Sequence, residues 1–351
     1  MNNAKKHKWT MEKFVLCALL ITTGCATTIK TNVLMPGRVD QAAQFKSVAV
    51  MPLDGPDGKT FTSVMESTLA SVIINDKQYF QIVDRGSLDK AMGEMKLAMT
   101  GMVDANTAAQ VGKMVGAKGI YTGTVAVSSV NDGRYTETRK KCSSYKTVTN
   151  SKGNKSEECQ RWYDSEISCT KRTAAFAFTP KLVEVETSRL IFSNTYESAL
   201  ESKGCSDEPK GLSDGQVMKK KVQESALQKF RMDVAPYYVV MEFTLKDSTS
   251  DISSDPAKAK LKDGLKFAGG NRMDRACALW SEAKPLAPNA VSILFNLGIC
   301  AETGGRPEEA LSLYQQIDKT LTKPDDAVSK ALARVNEQIE KRKKLGQQMA
   351  K

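Results

Sequence analysis

The alternation of apolar and polar residues predicts a regular order of strands and helices before residue 130. Ser47–Leu53 is an apolar run typical of a strand, and Thr60–Ile74 carries apolar residues at helical spacing. The pattern then predicts a strand at 80–84 and a helix at 87–97. A second helix is predicted from Asp104 or Asn106 onward, and a long strand at 118–130. Strand, helix, strand, helix, helix, strand is the order of an α/β domain.

The last elements of this domain follow a more polar stretch. The runs Ala174–Thr187 and Arg189–Leu200 have so short a connection that we predict an antiparallel hairpin. A helix near 213–231 and a strand at 237–245 complete the pattern. We therefore predict a domain of the α+β or α/β class over residues 47–247, with helices on one face of its sheet. The Ser- and Asp-rich residues 248–258 are predicted to be a linker.

Residues 259–351 contain an internal repeat with a period of 34 residues. Three positions recur at that spacing: Gly264, Ala276 and Trp280 return as Gly298, Ala310 and Tyr314. This pattern resembles the tetratricopeptide (TPR) repeat, which implies an all-α domain of two helical hairpins and a capping helix near 325–348. The six recurring glycine, alanine and aromatic residues are more typical of core packing than of ligand contacts. Because tetratricopeptide units bind protein segments in a concave groove, the resemblance also implies a partner protein.

The first residues are typical of a targeting segment. Four lysines precede the apolar run Phe14–Ile21, which is too short to span a bilayer. The following Thr22–Cys25 resembles the lipobox of bacterial lipoproteins, which implies a signal peptide over 1–24 and lipidation of Cys25. Ala26 then implies sorting to the outer membrane. The alternative is a plain cleaved signal with an incidental cysteine. Residues 25–46 show no apolar period, and we predict that they are a tether.

The histidine content limits which kinds of catalysis and metal binding the mature chain can support. The one histidine, His7, lies inside the predicted signal peptide, so the mature chain has no imidazole. Its absence excludes Ser-His-Asp and Cys-His catalysis, H-E-x-x-H metalloproteases and histidine metal ligands. We therefore predict a protein that is not an enzyme and has no cofactor or metal.

Cysteines and positive charge concentrate in the segment 131–172, which we call the basic insertion. Of the formal net charge of +11, much comes from residues 134–172, which hold ten Lys or Arg against five Asp or Glu. Four cysteines lie in or after it and are predicted to form disulfides with three alternative connectivities: Cys142, Cys159, Cys169 and Cys205. Their spacing does not fit a zinc site. Cys277 and Cys300 form either a further disulfide or two buried thiols.

The sequence contains incomplete motifs for three kinds of functional site. The stretch 53–60 resembles a phosphate-binding loop, but Leu53 replaces the required glycine, which favours a tight turn before a capped helix. Glu184 and Glu186 share one face of a predicted strand and could be paired carboxylates, although a solvated face explains them as well. The basic insertion lacks a nucleic-acid fold motif, which favours anionic envelope polymers or an acidic partner.

Several segments together resemble the CsgG-like lipoprotein family, which includes the curli secretion channel. They are Val48–Leu53, Phe80–Arg85, Leu88–Lys90, Thr100–Asp104, Gly112–Ala117 and Gly123–Val125. Channel-forming members insert two β-hairpins per subunit and line the pore with an aromatic loop. The corresponding residues 54–59 lack aromatics, and the basic insertion carries charges at both strand parities.

Our hypothesis from the sequence is a lipid-anchored outer-membrane scaffold that faces the periplasm of a Gram-negative bacterium. Its predicted partners are periplasmic or outer-membrane proteins, bound in the tetratricopeptide groove, and the membrane itself, but no nucleic acid. The alternative is a subunit of an oligomeric CsgG-like export channel, and so a homo-oligomer.

Overall fold

The computed structural model describes residues 27–95, 104–208 and 211–350, which fall into two compact units. Asn32–Val240 and Glu337–Lys351 form the first, which we call the sheet unit. Met241–Asn336, together with the described residues 27–31, form the second, which we call the helical unit. Within the described residues, no helix combines the length and apolar composition needed to cross a bilayer.

The sheet unit is built on one mixed sheet. Its strands are β2 (Ser47–Val50), β5 (Gln81–Ile82), β6 (Gly119–Thr149), β7 (Lys155–Glu184), β8 (Leu190–Ser193) and β9 (Tyr196–Cys205). The strand order is β5-β2-β6-β7-β8, and β9 also pairs with β7. β2 runs parallel to β5 and β6, whereas β7 is antiparallel to β6, β8 and β9. The predicted α/β class is therefore observed.

Smaller elements complete the strand inventory of the described residues. β3 (Ile73–Ile74) and β4 (Lys77–Gln78) form a short hairpin, and β1 (Thr28–Met35) pairs with β10 (Tyr237–Thr244). The helices before residue 240 are α1 (Asp40–Ala43), α2 (Gly58–Ala70), α3 (Arg85–Glu94), α4 (Ala105–Met114) and α5 (Gly215–Val234). The predicted end of the second helix, at Leu97, lies outside the described residues.

Helices cover both faces of the sheet, so the prediction of one covered face is wrong. Val48 and Val50 of β2 pack into the core that contains α2 and α5, whereas Ala49 and Met51 pack with α3 and α4. The cause is topological. β5 and β6 lie on opposite sides of β2, and right-handed crossovers to opposite sides place their helices on opposite faces. A parallel strand buried on both faces reads as a continuous apolar run rather than an alternating one.

Aromatic side chains fill the larger core. The ring of Phe61 on α2 lies 4.6 Å from that of Phe176 and 4.8 Å from that of Phe178, both on β7. Phe178 in turn lies 5.9 Å from Phe230 on α5. Offset and edge-on ring contacts of this kind add to the stabilisation from buried area. The core thus fixes the inner end of β7, from which the rest of that strand projects.

Residues 27–46 are not a tether in the structure, contrary to the prediction. β1 and α1 occupy much of this segment, and Ala42 and Ala43 are fully buried. The backbone N–H groups of Arg38 and Val39 donate to the carbonyls of Met232 and Asp233. The apolar pattern of β1 is weak in the sequence, because only alternate residues of a half-buried strand need to be apolar. In β1 the apolar residues are separated by Lys, Thr and Asn.

The helical unit follows β10. Its helices are α6 (Asp255–Gly269), α7 (Met273–Ala283), α8 (Val291–Thr303), α9 (Pro307–Thr320) and the first part of α10 (Asp326–Met349). α6 starts inside the predicted linker 248–258, because Ser254 caps it by accepting from the Ala257 N–H and Pro256 occupies its first turn. A C-terminal helical region is therefore observed, and its assignment to a repeat family stays a prediction.

Candidate functional site

The basic insertion is the outer part of one long β-hairpin. Pairing between β6 and β7 is registered from Gly119 opposite Glu184 to Thr149 opposite Lys155. The turn is closed by Asn150, whose N–H donates to the Asn154 carbonyl and whose side chain accepts from the N–H groups of Lys152 and Asn154. We call β6 and β7 together the long hairpin. Most of its side chains beyond residue 131 are exposed, so backbone pairing rather than a core holds this part together.

A third strand and a disulfide stabilise the middle of the long hairpin. β9 pairs with β7 from Tyr196 opposite Phe178 to Cys205 opposite Cys169. In the structure Cys169 and Cys205 are bonded, with their Cα atoms 4.0 Å apart. Only residues directly opposite each other come this close in an antiparallel pair. The sequence left three connectivities open, and the register favours this pair.

Arg139 joins the hairpin to the residues that follow β9. Its guanidinium donates to Glu137 at 2.8 Å and to Asp207 at 3.1 Å, and lies 2.9 Å from Glu208. The hydrogen bond from Arg139 lowers the pKa of Glu137 below its usual range. Glu137 is a local partner, two residues before Arg139 on the same strand. Sequence inspection did not identify Arg139, because its other two partners, Asp207 and Glu208, lie far along the chain, just after β9. Arg139 therefore fixes the place where the three-stranded part gives way to a two-stranded ribbon.

One group of possible metal ligands lies beside Arg139. Glu137, Cys169 and Cys205 each offer an atom within 4.8 Å of the others. Because the two sulfur atoms are bonded to each other, neither is available as a thiolate, which is the form that binds a metal. This group therefore acts as a cross-link in the structure rather than as a metal centre.

A second disulfide lies further along the ribbon. Cys142 and Cys159 are bonded, with Cα atoms 5.7 Å apart. Trp162 lies opposite Cys142 and Tyr145 lies opposite Cys159, so both aromatic residues flank the bond. A shallow cavity of about 560 Å³ surrounds them, and its wall includes Lys140 and Lys141.

A basic cavity of about 410 Å³ lies at the amino ends of β2, β5 and β6. Lys46, Lys77 and Lys118 line it, and no carboxylate is among its described lining residues. The Lys46 ammonium donates to the Met349 carbonyl at 3.3 Å and lies 5.4 Å from the ring centre of Tyr79. Burial lowers the pKa of Lys46. The cavity is thus partly filled by the chain's own C-terminal residues.

The segment 53–60 is a closed turn, as the absence of the loop glycine predicts. Asp57, in the left-handed region with φ 59°, precedes α2 and accepts a 2.6 Å hydrogen bond from Ser128. The Lys219 ammonium lies 2.5 Å from the same carboxylate. A Cβ at Gly58 would lie 2.1 Å from the Leu53 carbonyl oxygen. The turn is therefore closed by close backbone packing, but the predicted side-chain cap is not observed, because the Asp57 carboxylate binds Ser128 and Lys219 instead of an N–H group of α2.

The paired-carboxylate interpretation of Glu184 and Glu186 does not hold. Glu184 is the last residue of β7 and accepts a hydrogen bond from Thr187, whereas Glu186 is exposed in the turn that follows. Because only one of the two belongs to the strand, they do not share one of its faces.

In the helical unit, the six repeat residues are brought together in two similar sets. Gly264 contacts Trp280 and Gly298 contacts Tyr314, while all four of Ala276, Trp280, Ala310 and Tyr314 are fully buried. The four side chains belong to the hydrophobic core of the helical unit. A third disulfide joins Cys277 on α7 to Cys300 on α8, with Cα atoms 5.9 Å apart.

A peptide-binding groove would need an exposed face on α8. In the structure, other residues of the same chain cover that face. The side chain of Asn296 accepts from the Lys246 N–H at 2.9 Å and donates to the Lys246 carbonyl at 2.8 Å. Phe243, Leu245 and Ile252 belong to the same core as α8. The groove predicted for a partner protein is therefore filled along this helix by residues 243–252.

A buried ion pair closes the same core. Arg334 on α10 donates to both oxygens of Glu302, at 2.8 and 2.7 Å, and the Tyr314 hydroxyl donates to Glu302 at 2.6 Å. Sequence inspection did not single out Glu302, although a carboxylate after the run 293–301, in which Asn296 is the one polar side chain, is a recognisable signal. Cys25, the predicted lipidation site, lies outside the described residues.

Comparisons with known proteins give one family match. Residues 58–208 match the model of a family described as "Curli production assembly/transport component CsgG". The chain carries a CsgG-family domain. The match runs from the start of α2 to just beyond β9, so it includes the whole long hairpin and leaves out the helical unit.

Similar solved structures are distant. The LpoB C-terminal domain from Salmonella enterica is 14% identical, with 45% of this chain and 84% of that chain covered and a TM-score of 0.25. Two PelC dodecamer structures from Paraburkholderia phytofirmans are each 13% identical and cover 59% of this chain and 98% or 99% of theirs, with TM-scores of 0.23 and 0.24. No curated protein matched the chain in a sequence search.

Proposed function

We propose that the protein is a non-enzymatic lipoprotein of the outer membrane, anchored at Cys25, that acts in the periplasm as a scaffold or adaptor for envelope assembly or export. The observation that carries the proposal is the long hairpin of the CsgG-family domain, which extends charged and aromatic side chains beyond the core. Such a surface suits contact with a partner, whereas chemistry needs an enclosed site. Three cross-strand or interhelical disulfides support an oxidising compartment.

The anchor is tested by fractionation. Replacing Cys25→Ala should move the protein from the membrane fraction to the soluble periplasmic fraction, because stable attachment needs acyl chains. Cys17→Ala is the matched control, since Cys17 lies in the predicted signal peptide and should leave the distribution unchanged. A Cys25→Ala protein that still fractionates with the membrane would refute the anchor.

The adaptor role is tested by shortening the long hairpin. Arg139 and Ser165 are opposite each other, so residues 140–164 can be replaced by Asn-Gly, which favours a tight two-residue turn. This change removes Cys142 and Cys159 together and leaves no unpaired cysteine. We expect the shortened protein to fold and to stay at the membrane but to lose crosslinked envelope partners. Equal partner recovery by both proteins would contradict the role of the hairpin.

We further propose that residues 259–351 are two tetratricopeptide repeats with a capping helix. The contacts Gly264–Trp280 and Gly298–Tyr314, 34 residues apart, support this assignment. Because residues 243–252 fill the groove along α8, partner contacts of this unit would fall on its other surfaces.

The alternative is a subunit of an oligomeric export channel. Among the described strands, the outer edge of β6 pairs only near Val48–Val50 and Asp54, and β9 pairs only with β7. Open edges can pair with a second copy. Against it, charged residues occur on both faces of the ribbon, whereas a membrane strand alternates apolar and polar residues. A detergent-extracted ring that conducts ions in a planar bilayer would favour the channel over the scaffold.

A further inference from the structure

Three aromatic side chains on the outer ribbon are exposed to an unusual degree. Tyr145 is 62% exposed, Trp162 is 59% exposed and Tyr163 is 49% exposed. Large aromatic surfaces in water favour burial against a ligand, and a cluster of them marks a binding site more often than isolated residues do. We call Tyr145 and Trp162, together with Lys140, the aromatic patch. Tyr163 and Lys141 lie opposite each other, alternate with Trp162 and Lys140 along their strands and project to the other face.

The ribbon holds the aromatic patch in a fixed arrangement. Residues directly opposite in an antiparallel pair project to the same face, which places Trp162 beside Cys142 and Tyr145 beside Cys159. The Cys142–Cys159 bond lies between the two rings and holds the strands where the register shifts at Ser144. Rings that are positioned before binding lose little entropy when a ligand arrives.

Charge and shape limit what the aromatic patch can bind. Its cavity of about 560 Å³ is open to solvent and is lined by Lys140, Lys141 and Glu157 besides the three aromatic residues. The surrounding segment 134–172 holds ten Lys or Arg against five Asp or Glu. Four of these cations are paired with carboxylates: Arg139, Lys141, Lys171 and Arg172. The other six still exceed the four acidic residues other than Glu137, so an anionic ligand is attracted. A bilayer is a poor fit, because the polar turn 150–154 and charges on both faces prevent insertion.

We propose that the aromatic patch binds an anionic polysaccharide. Sugar rings present an apolar C–H face with a polar rim, which matches the exposed faces of Trp162 and Tyr145, and carboxylate groups along the polymer match Lys140. The neighbouring Lys141 is paired with Asp207 at 3.5 Å. An acidic peptide offers the charge without the flat apolar face. The inference deepens the proposed function, since a protein exported to the envelope meets such polymers.

The test uses the purified mature protein, which lacks the predicted signal peptide and its Trp9, and polygalacturonate oligomers as the probe. Trp162 reports binding directly, because it is the exposed tryptophan of the described residues, whereas Trp280 is fully buried with its indole N–H donated to the Leu261 carbonyl. We expect saturable changes in tryptophan fluorescence and reduced quenching by acrylamide. Both signals should disappear in Trp162→Phe, although calorimetry should show that this variant still binds, because phenylalanine retains an aromatic face.

Matched variants separate stacking from charge. Trp162→Ala with Tyr145→Ala should weaken binding about tenfold through lost ring contacts. Lys140→Gln should weaken it and reduce its salt dependence. Lys152→Gln in the turn removes a charge outside the cavity and should change affinity little. Circular dichroism and migration on non-reducing gels confirm that each variant is folded and oxidised.

Other probes decide between ligand classes. Neutral dextran should bind more weakly than polygalacturonate, and poly-L-glutamate should bind without loss on Trp162→Ala. Equal affinity of poly-L-glutamate and polygalacturonate, preference for phosphatidylglycerol vesicles, or unchanged binding by the Trp162→Ala and Tyr145→Ala variant would overturn the proposal. These measurements use purified protein, so their failure is distinct from failure of the Cys25 fractionation test.

Discussion

Gly264 on α6 touches Trp280 on α7 so closely that a Cβ at residue 264 would lie 2.2 Å from the indole Nε1. The same relationship recurs between Gly298 and Tyr314, where the added Cβ would lie 2.3 Å from Cε1. In both cases a missing side chain lets a fully buried aromatic ring lie against the backbone of the preceding helix. Glycine is retained inside these helices for packing, although it costs about 1 kcal/mol in helix propensity.

Gly264→Ala should therefore destabilise the protein. The substitution gains about 1 kcal/mol in helix propensity, but displacing buried Trp280 costs about 1–3 kcal/mol or more. Urea unfolding followed by circular dichroism measures the difference. Gly346→Ala in α10 is the control, since its Cβ would meet nothing within 4 Å and should raise stability slightly. A Gly264→Ala protein as stable as Gly346→Ala would show that the contact is absent.

Arg334→Met should cost about 3–5 kcal/mol, because it leaves the fully buried Glu302 carboxylate without its cation. The double variant Arg334→Met with Glu302→Leu should lose less than the sum of the two single changes, since it removes both charges. Denaturant unfolding of all four proteins forms a double-mutant cycle. Additive losses would mean that the two side chains do not interact.

The stability contribution of Asp57 should depend on pH. Hydrogen bonds from Lys219 and then Ser128 lower the pKa of Asp57, so its contribution is present above the unfolded pKa and disappears as pH falls through the folded value. Asp57→Asn keeps a residue that tolerates the left-handed backbone but should cost about 0.5 kcal/mol at pH 7. The gap should narrow below about pH 4. Asp76→Asn, also left-handed with φ 60°, should cost less at pH 7. A gap that persists at pH 2 would contradict this.

Peptide mapping under non-reducing conditions should recover three linked pairs: Cys142–Cys159, Cys169–Cys205 and Cys277–Cys300. Trypsin separates the first four cysteines, because a Lys or Arg lies between each successive pair. Between Cys277 and Cys300 the one Lys precedes Pro285, so a Glu-specific protease that cleaves after Glu282 is needed. Blocked free thiols at these positions, or a Cys142–Cys169 linkage, would refute the pairing.

Gln348→Ala should destabilise the sheet unit by about 1–3 kcal/mol. The buried amide of Gln348 accepts from the Gly37 N–H at 2.8 Å and donates to the Gly37 carbonyl at 3.1 Å, and its loss leaves both backbone groups unsatisfied. Gln347→Ala is the matched control, because Gln347 is exposed. Equal midpoints of unfolding for the two variants would show that the C-terminal residues do not hold this segment.

Helices and strands were predictable from the sequence where their core-facing residues recur at a regular spacing. The run Ser47–Leu53, the helix after Thr60 and the helix near 213–231 all appear close to their predicted places, because burial imposes a clear apolar pattern on each. The pattern at residues 28–35 was missed, since a short strand that is buried at Ile29 and Met35 but exposed between them gives a weak signal. The outer hairpin was missed for the opposite reason: both of its faces meet water, so no alternation is required.

The candidate site was also predictable from the sequence only in part. Its cysteines, aromatic residues and positive charge are visible in the printed sequence, and the even cysteine count in 142–205 already favoured disulfides. Their partners were not visible, because antiparallel register is fixed by long-range strand pairing and one residue of slip would exchange the two faces. The neighbours of Arg139 and the pairing of Trp162 with Cys142 depend on that register.

The sequence by itself determined the α/β order, the helical C-terminal region and the expectation of an exported protein without imidazole chemistry. Local period and composition suffice for such properties. Only the tertiary structure decided that helices cover both sheet faces, that residues 243–252 fill the groove along α8, and that the basic insertion is a disulfide-linked ribbon. These features rest on crossover handedness, strand register and contacts between residues far apart in the chain, which no local pattern encodes.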